Sequence, residues 1–262
     1  MLADGFEEIE ALCPVDVLRR AGVTVKTVGI GSRVALGAHG IPVVCDATPD
    51  EVSADEVDML ILPGGMPGAE NLDKSPFVDK MIREVSARGA RLAAICAAPL
   101  CLGRRGLLDG KRATCYPGFE NELRGAQLED SAVVTDGSIT TAKGMGAALE
   151  FALELVRLLV SRDEAVKIAA AVQNSGVNIA DEPCKKTRSL DERFIAAVEV
   201  VIKEGKVSTS LIQRKLGIGY GKAAMYIDMM ENLGIVGEAN GQNPREVIMT
   251  EEEWQKKLES LT

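Results

Sequence analysis

Histidine is nearly absent from this chain: His39 is the only one in 262 residues. That argues against histidine-based zinc sites and leaves one candidate for any cysteine–histidine dyad. There is no CxxC pair among Cys13, Cys45, Cys96, Cys101, Cys115 and Cys184, and no leader-like segment opens the chain. The cysteines therefore read as reduced thiols of a cytoplasmic protein and not as a disulfide frame. No apolar run approaches the roughly 20 residues of a membrane span, so no membrane partner is expected. An excess of basic charge is missing too. The net charge of −9 argues against a protein that collects nucleic acid through its whole surface.

What is present is an ordinary globular composition, 46% hydrophobic and 26% charged, long enough for one large domain or two unequal ones. Residues 6–21 have helical periodicity, with Ile9, Leu12, Val15 and Leu18 as the apolar positions and Gly22 as the stop. Residues 23–30 read as a strand, 33–45 as a hairpin or arm, and 57–62 as a strand closed by Pro63-Gly64-Gly65. A helix over 75–88 follows, then the strand Leu92–Ile95 and a helix to about Gly106. A short strand is expected at 112–115 and a hairpin around Asp136-Gly137. Gly144-Met145-Gly146 opens an apolar helix that runs to about Val160. Strands alternating with helices predict an α/β domain with a doubly wound parallel sheet over 1–173. Only Met1 to Ala3 precede the Asp4-Gly5 turn, so the first strand is largely missing.

Chemistry concentrates at Cys96. An apolar strand ends on it, and Ala97-Ala98-Pro99 opens the next helix, since proline suits a first helical turn. A sulfur on such an elbow lies near unpaired amides and the positive helix end, which favour thiolate. The alternative is a buried structural cysteine. Gly64 and Gly65 close the preceding strand, so they and Cys96 fall at carboxyl ends of neighbouring strands, where sites form in such sheets.

Residues 174–190 lack periodicity and read as a linker. In 191–262 the pattern changes: helices over 192–204, 209–216 and 220–233, then two short strands around the polar 240–244 loop. Three helices and a hairpin make a small winged helix-turn-helix domain. The last stretch, EEEWQKKLESL, reads as a solvated amphipathic helix. Residues 205–222 carry Lys206, Arg214, Lys215 and Lys222 with no acid, a local basic face.

The segments LADGFEEIE, PVDVLRRAG, LPGGMPGAENL, AAICAAP, ATCYP and ALEFALELV resemble the ThiJ/PfpI superfamily, in its parkinsonism-associated deglycase branch, over residues 2–172. The resemblance implies a flavodoxin-like fold, a homodimer, and cofactor-independent chemistry on reactive aldehydes such as methylglyoxal or on glycated adducts. It implies that Cys96 is the reactive thiol and Glu10 its carboxyl partner. By spacing alone Glu10 is a solvated helix residue beside Glu7 and Glu8. It further implies backbone amides of Gly65 and Ala97 at a developing oxyanion, and a pocket that includes Gly64, Tyr116 and Pro117. Ala97 stands where relatives with protease or amidotransferase activity place histidine, so a cysteine–histidine protease is not expected. Lys143-Gly144-Met145-Gly146 departs from the Arg-Gly-Pro-Gly usual in the branch.

The segments DERFIAAVEVV, GKVSTSLIQRKLGIGYGKAA, MENLGIV and PREV, over 191–249, resemble the gamma domain of FtsK/SpoIIIE DNA translocases, without any Walker A loop. That implies duplex DNA as a partner, met by Lys206, Arg214, Lys215, Tyr220 and Lys222. Gly221-Lys222 and Met225 replace residues with which such domains read base edges, so binding is expected to be weak in sequence preference. Two other readings stay open. The α/β domain could be an oxidative-stress sensor or chaperone whose Cys96 turns nothing over, or the chain could be a DNA-binding regulator that senses electrophiles through Cys96.

Overall fold

In the computed structural model, residues 1–174, 192–237 and 245–261 are described. The chain divides into two compact units, Met1–Cys184 and Lys185–Thr262. The linker expected at 174–190 lies, from 175 on, outside the described residues.

The first unit opens with α1 (Glu8–Arg20), followed by the antiparallel ribbon β1 (Val34–Leu36) and β2 (Pro42–Val44). Then come β3 (Met59–Leu62), α2 (Gly68–Lys74), α3 (Pro76–Ala87), β4 (Arg91–Ile95) and α4 (Pro99–Gly103). The short strands β5 (Arg112–Ala113) and β6 (Gln127–Leu128) pair with each other. The hairpin β7 (Val133–Asp136) and β8 (Ile139–Ala142) and the helices α5 (Ala148–Leu159) and α6 (Arg162–Ala171) complete the unit. The central sheet runs β3-β4-β8-β7, with β3, β4 and β8 parallel and β7 antiparallel at the edge.

β4 shows why the sheet is doubly wound. Leu92 and Ala94 pack into one buried cluster with Leu72, Met81 and Ile82 of α2 and α3. Ala93 and Ile95 pack into another with Val17 and Leu18 of α1 and Phe151 and Val156 of α5. Alternate side chains of one strand feed opposite faces, so a strand covered on both sides is apolar throughout.

Where the expected first strand lies, Leu2 makes a single parallel bridge to Gly29, bonding Val28 O through its own amide and receiving Ile30 N. On its other side Met1 N donates to Ile61 O at 3.0 Å. The stub therefore occupies the slot between residues 28–30 and β3. The strand expected over 23–30 is reduced to the bridges of Val28 and Gly29, because three residues offer too short a partner for a ladder. The helix expected to Gly106 closes at Gly103.

α1 also differs from its periodicity. Ile9 and Leu12 face outward at 50% and 37% exposure, whereas Glu8 and Glu10 are buried. The helix rests on the sheet through Ala11, Pro14, Val17 and Leu18.

The second unit contains α7 (Glu192–Glu204), β9 (Lys206–Val207), α8 (Thr209–Leu216), α9 (Tyr220–Asn232), β10 (Arg245–Glu246) and α10 (Glu251–Leu261). Ser208 caps α8 by accepting from Leu211 N, and Gly217 ends it in the left-handed region at φ 63°. β10 pairs with β9, and Val236 bridges Val247, which places a wing beside the helices. The polar 240–244 loop lies outside the described residues. α10 is not merely a solvated helix: Trp254 is fully buried and meets the Phe194 ring edge-on at 6.5 Å. Among the described residues no helix is long and apolar enough to cross a membrane.

Candidate active site

Cys96 follows β4 directly and has φ 65°, one of only two non-glycine residues at positive φ among the described residues. Its amide bonds Ala142 O at 2.8 Å, and its carbonyl receives Tyr116 N at 2.9 Å. These bonds hold a conformation that side chains other than glycine disfavour. Pro99 then starts α4, as expected of the elbow.

Glu10 comes from the first turns of α1 and is 1% exposed. Its Oε2 accepts from Gly64 N at 3.0 Å. Gly64 has to be glycine here, since a Cβ would lie 2.6 Å from Cys96 Cβ and 2.6 Å from Glu10 Oε2. Gly65 has φ 86°, and a Cβ on it would meet Glu7 N at 2.3 Å. The two glycines thus let the loop after β3 press against both α1 and the elbow.

Burial raises the Glu10 carboxyl to about 7; Cys96 and the amides of Gly64 and Met145 oppose that rise by hydrogen bonding, while Glu7 adds to it. Burial and the Glu10 charge push the Cys96 thiol up to about 12, against the Gly65 and Ala97 amides, which bond the sulfur and pull it down. The Gly65 and Ala97 amides act on the sulfur itself, and the expected ease of thiolate formation meets a buried acid. The two groups titrate as a pair. A proton on Glu10 removes the opposing charge and supplies a donor to the sulfur, so thiolate forms most readily when Glu10 is protonated.

Tyr116 and Pro117 are exposed. A Cβ on Gly144 would lie 3.2 Å from the Tyr116 ring and 3.7 Å from Glu10 Oε1, so Gly144 separates the two. Lys143 is ion-paired with Asp130. Cys45, Cys101 and Cys115 are buried, Cys13 is half-buried, and Cys184 lies outside the described residues.

His39 is exposed on its arm and is bound to the buried Glu8 through its amide at 2.7 Å and Nδ1 at 2.8 Å. Glu7 joins them to form a group with ligand-type atoms within 4.8 Å of one another. The hydrogen bonds between Glu8 and His39, and from Glu10 N to Glu7 at 2.7 Å, account for that closeness. The fixing of His39 by Glu8 was not legible in the sequence.

Residues 1–158 match the DJ-1/PfpI family. The chain belongs to that family. Its DJ-1/PfpI unit is 39% identical over 171 residues to protein DJ-1 homolog B of Arabidopsis thaliana, covering 64% of this chain and 39% of that longer protein. It is 32% identical over 159 residues to a protein of Pyrococcus abyssi named a deglycase, covering 60% of this chain and 95% of that one. The solved structure of oxidized Toxoplasma gondii DJ-1 is similar with a TM-score of 0.64 at 35% identity, covering 66% of this chain and 96% of that one. Residues 188–250 match the FtsK gamma domain.

In that second region Lys206, Arg214 and Lys215 are exposed on β9 and α8. Lys215 is paired with Glu204 at 2.9 Å. Lys222 lies over the Tyr226 ring at 5.7 Å, in the first turn of α9, which Tyr220 begins. The side chain of Tyr220 lies outside the described residues.

Proposed function

We propose that the DJ-1/PfpI unit is a cysteine-dependent enzyme that acts on small reactive aldehydes, methylglyoxal foremost, or on their glycated adducts. One observation carries this reading: Cys96 sits on a positive-φ elbow against Gly64, whose amide bonds the buried Glu10 carboxyl. With the proton on Glu10, the thiolate adds to the aldehyde carbon and forms a hemithioacetal. The amides of Gly65 and Ala97 stand beside the new bond and can take up charge on the former carbonyl oxygen. Glu10 serves as the proton carrier, moving the aldehyde hydrogen from C1 to C2 as a proton. Water then cleaves the resulting thioester to lactate and restores the thiol, so methylglyoxal plus water balance lactate. The roles of Gly64, Tyr116 and Pro117 are to shape the mouth of the site.

Lactate formation from methylglyoxal by the full chain tests this. Activity should vanish in Cys96→Ala and fall at least 100-fold in Glu10→Gln, in line with loss of a general acid–base group. Stoichiometric modification of Cys96 without lactate would shift the reading to a sensor of electrophiles.

For the second unit we infer weak duplex binding through Lys206, Arg214, Lys215 and Lys222. Its support is the match to the FtsK gamma domain and the exposed basic side chains on β9 and α8. A homodimer is likewise proposed. The apolar residues Ile9 and Leu12 of α1 and Val34, Leu36, Ile41 and Val44 of the adjoining ribbon are exposed and suit a second copy.

A further inference from the structure

Glu10 is 1% exposed, although Ile9 beside it on α1 is 50% exposed. Its two carboxyl oxygens meet different elements. Gly64 N–H, from the loop after β3, donates to Oε2 at 3.0 Å. Oε1 meets Gly144, which lies between β8 and the turn Met145–Ala147.

Gly144 is buried and fully extended, and its missing side chain is what bears on Glu10. A Cβ there would lie 3.7 Å from Glu10 Oε1, and 3.2 and 3.8 Å from Cδ2 and Cε2 of Tyr116. The ring edge and the carboxyl oxygen thus come within a methyl group's reach of one point, and the absent side chain leaves that space to them. Tyr116 is fixed at this place by its backbone. Its amide donates to Cys96 O at 2.9 Å, and its carbonyl accepts from Phe119 N at 3.1 Å. Its side chain remains half exposed.

The titratable groups around the carboxyl come from separate elements. Glu7 of the same helix accepts from Glu10 N at 2.7 Å. Cys96 stands on the elbow, against the same Gly64 that holds Oε2. The loop after β3 contributes glycine, and Lys143, next to Gly144, is paired with Asp130. The remaining group is Tyr116 itself.

We propose that Tyr116 is a positioning residue whose ring covers the Oε1 side of Glu10, and that residue 144 is glycine so that the ring can close there. What this cover serves rests on the reading of Glu10 as the proton carrier of the site. A carboxyl kept dry holds its proton to higher pH, because burial disfavours the charged form. A proton carrier works best when it titrates near the working pH. The ring, and not the phenol hydroxyl, is then the required part of residue 116.

Two substitutions separate ring from hydroxyl. In Tyr116→Ala the Glu10 carboxyl midpoint, followed by carbon NMR of labelled glutamate in the full chain, should fall by about one pH unit. Tyr116→Phe keeps the ring and should keep the wild-type midpoint. An unchanged midpoint in the alanine variant, or an equal fall in the phenylalanine variant, overturns the proposal.

A second measurement needs no variant at residue 116. The chain has three tyrosines, and Tyr220 and Tyr226 belong to the second unit. In the wild type labelled at tyrosine, the Tyr116 ring signals should titrate with the Glu10 midpoint, and Glu10→Gln should remove that titration. Flat Tyr116 ring signals in the wild type would sink the idea. If the alanine variant does not fold, this titration decides alone. Neither readout uses aldehyde turnover, so a chain that makes no lactate would refute the enzyme reading and leave the cover standing.

Discussion

Glu10 is the residue whose environment departs furthest from its sequence context. Between Glu7 and Glu8 on one side and apolar residues on the other it reads as a surface glutamate, yet burial lifts its carboxyl to about 7. The consequence for stability has a definite sign. A carboxyl whose folded value lies above its unfolded value of 4.5 favours the folded state fully below that value. That contribution is lost as pH rises from 4.5 through about 7. Glu10→Gln, which cannot ionise, should therefore stabilise the protein at pH 8 by roughly 1–3 kcal/mol relative to its effect at pH 4. Thermal melts of both proteins at the two pH values check this. Equal differences at both values would show that Glu10 ionises in the folded chain as easily as in water.

At the scale of elements, α8 and α9 with β9 form the basic side of the winged helix. Four cations lie within residues 205–222, but Lys215 is already engaged by Glu204 and Lys222 stacks on Tyr226. Their pull on phosphate is reduced accordingly, and the net charge of −9 over the whole chain opposes approach at long range. Binding to a random duplex should be detectable at low salt, with a log–log salt slope near −3, and mostly lost near physiological salt. Arg214→Ala with Lys215→Ala should flatten the slope by about 2, and Cys96→Ala should leave it unchanged. Fluorescence anisotropy across a salt series measures the slope. Tight binding to one short sequence at physiological salt would mean that α9 reads base edges with Gly221, Lys222 and their neighbours.

At the scale of the whole molecule, the buried clusters of the two units share no member among the described residues. Phe194, Tyr226 and Trp254 belong to the core of the second unit, while Leu92, Ile95 and Phe151 belong to clusters of the first. Phe194 is fully buried, and its ring meets Tyr226 at 5.4 Å. Phe194→Ala should cost the second unit ~3–5 kcal/mol and leave the first untouched. Trp254 is the only tryptophan, so its fluorescence follows the second unit while lactate formation or Cys96 accessibility follows the first. One joint transition that shifts for both probes would show that the units unfold together.

Much of this is legible in the sequence. The apolar run ending at Cys96, the proline that starts α4, the glycines after β3 and the hairpin at Asp136-Gly137 have strictly local causes, such as a fixed φ, an absent Cβ or an alternating pattern. The helix-turn-helix order of the second unit was legible for the same reason. What tertiary packing decided lies where distant segments meet. Periodicity could not tell that α1 turns Glu8 and Glu10 inward and Ile9 and Leu12 outward, because the sheet and the loop at Gly64 choose the face. The tripeptide Met1–Ala3 could not be read as holding the slot beside β3, and a lone tryptophan among charges gave no sign of filling a core. The proton balance at the site is the furthest from sequence, since burial sets it first and the backbone amides of residues 64, 65 and 97 oppose that burial. Amides carry no side-chain identity, and only the fold brings them to one carboxyl and one sulfur.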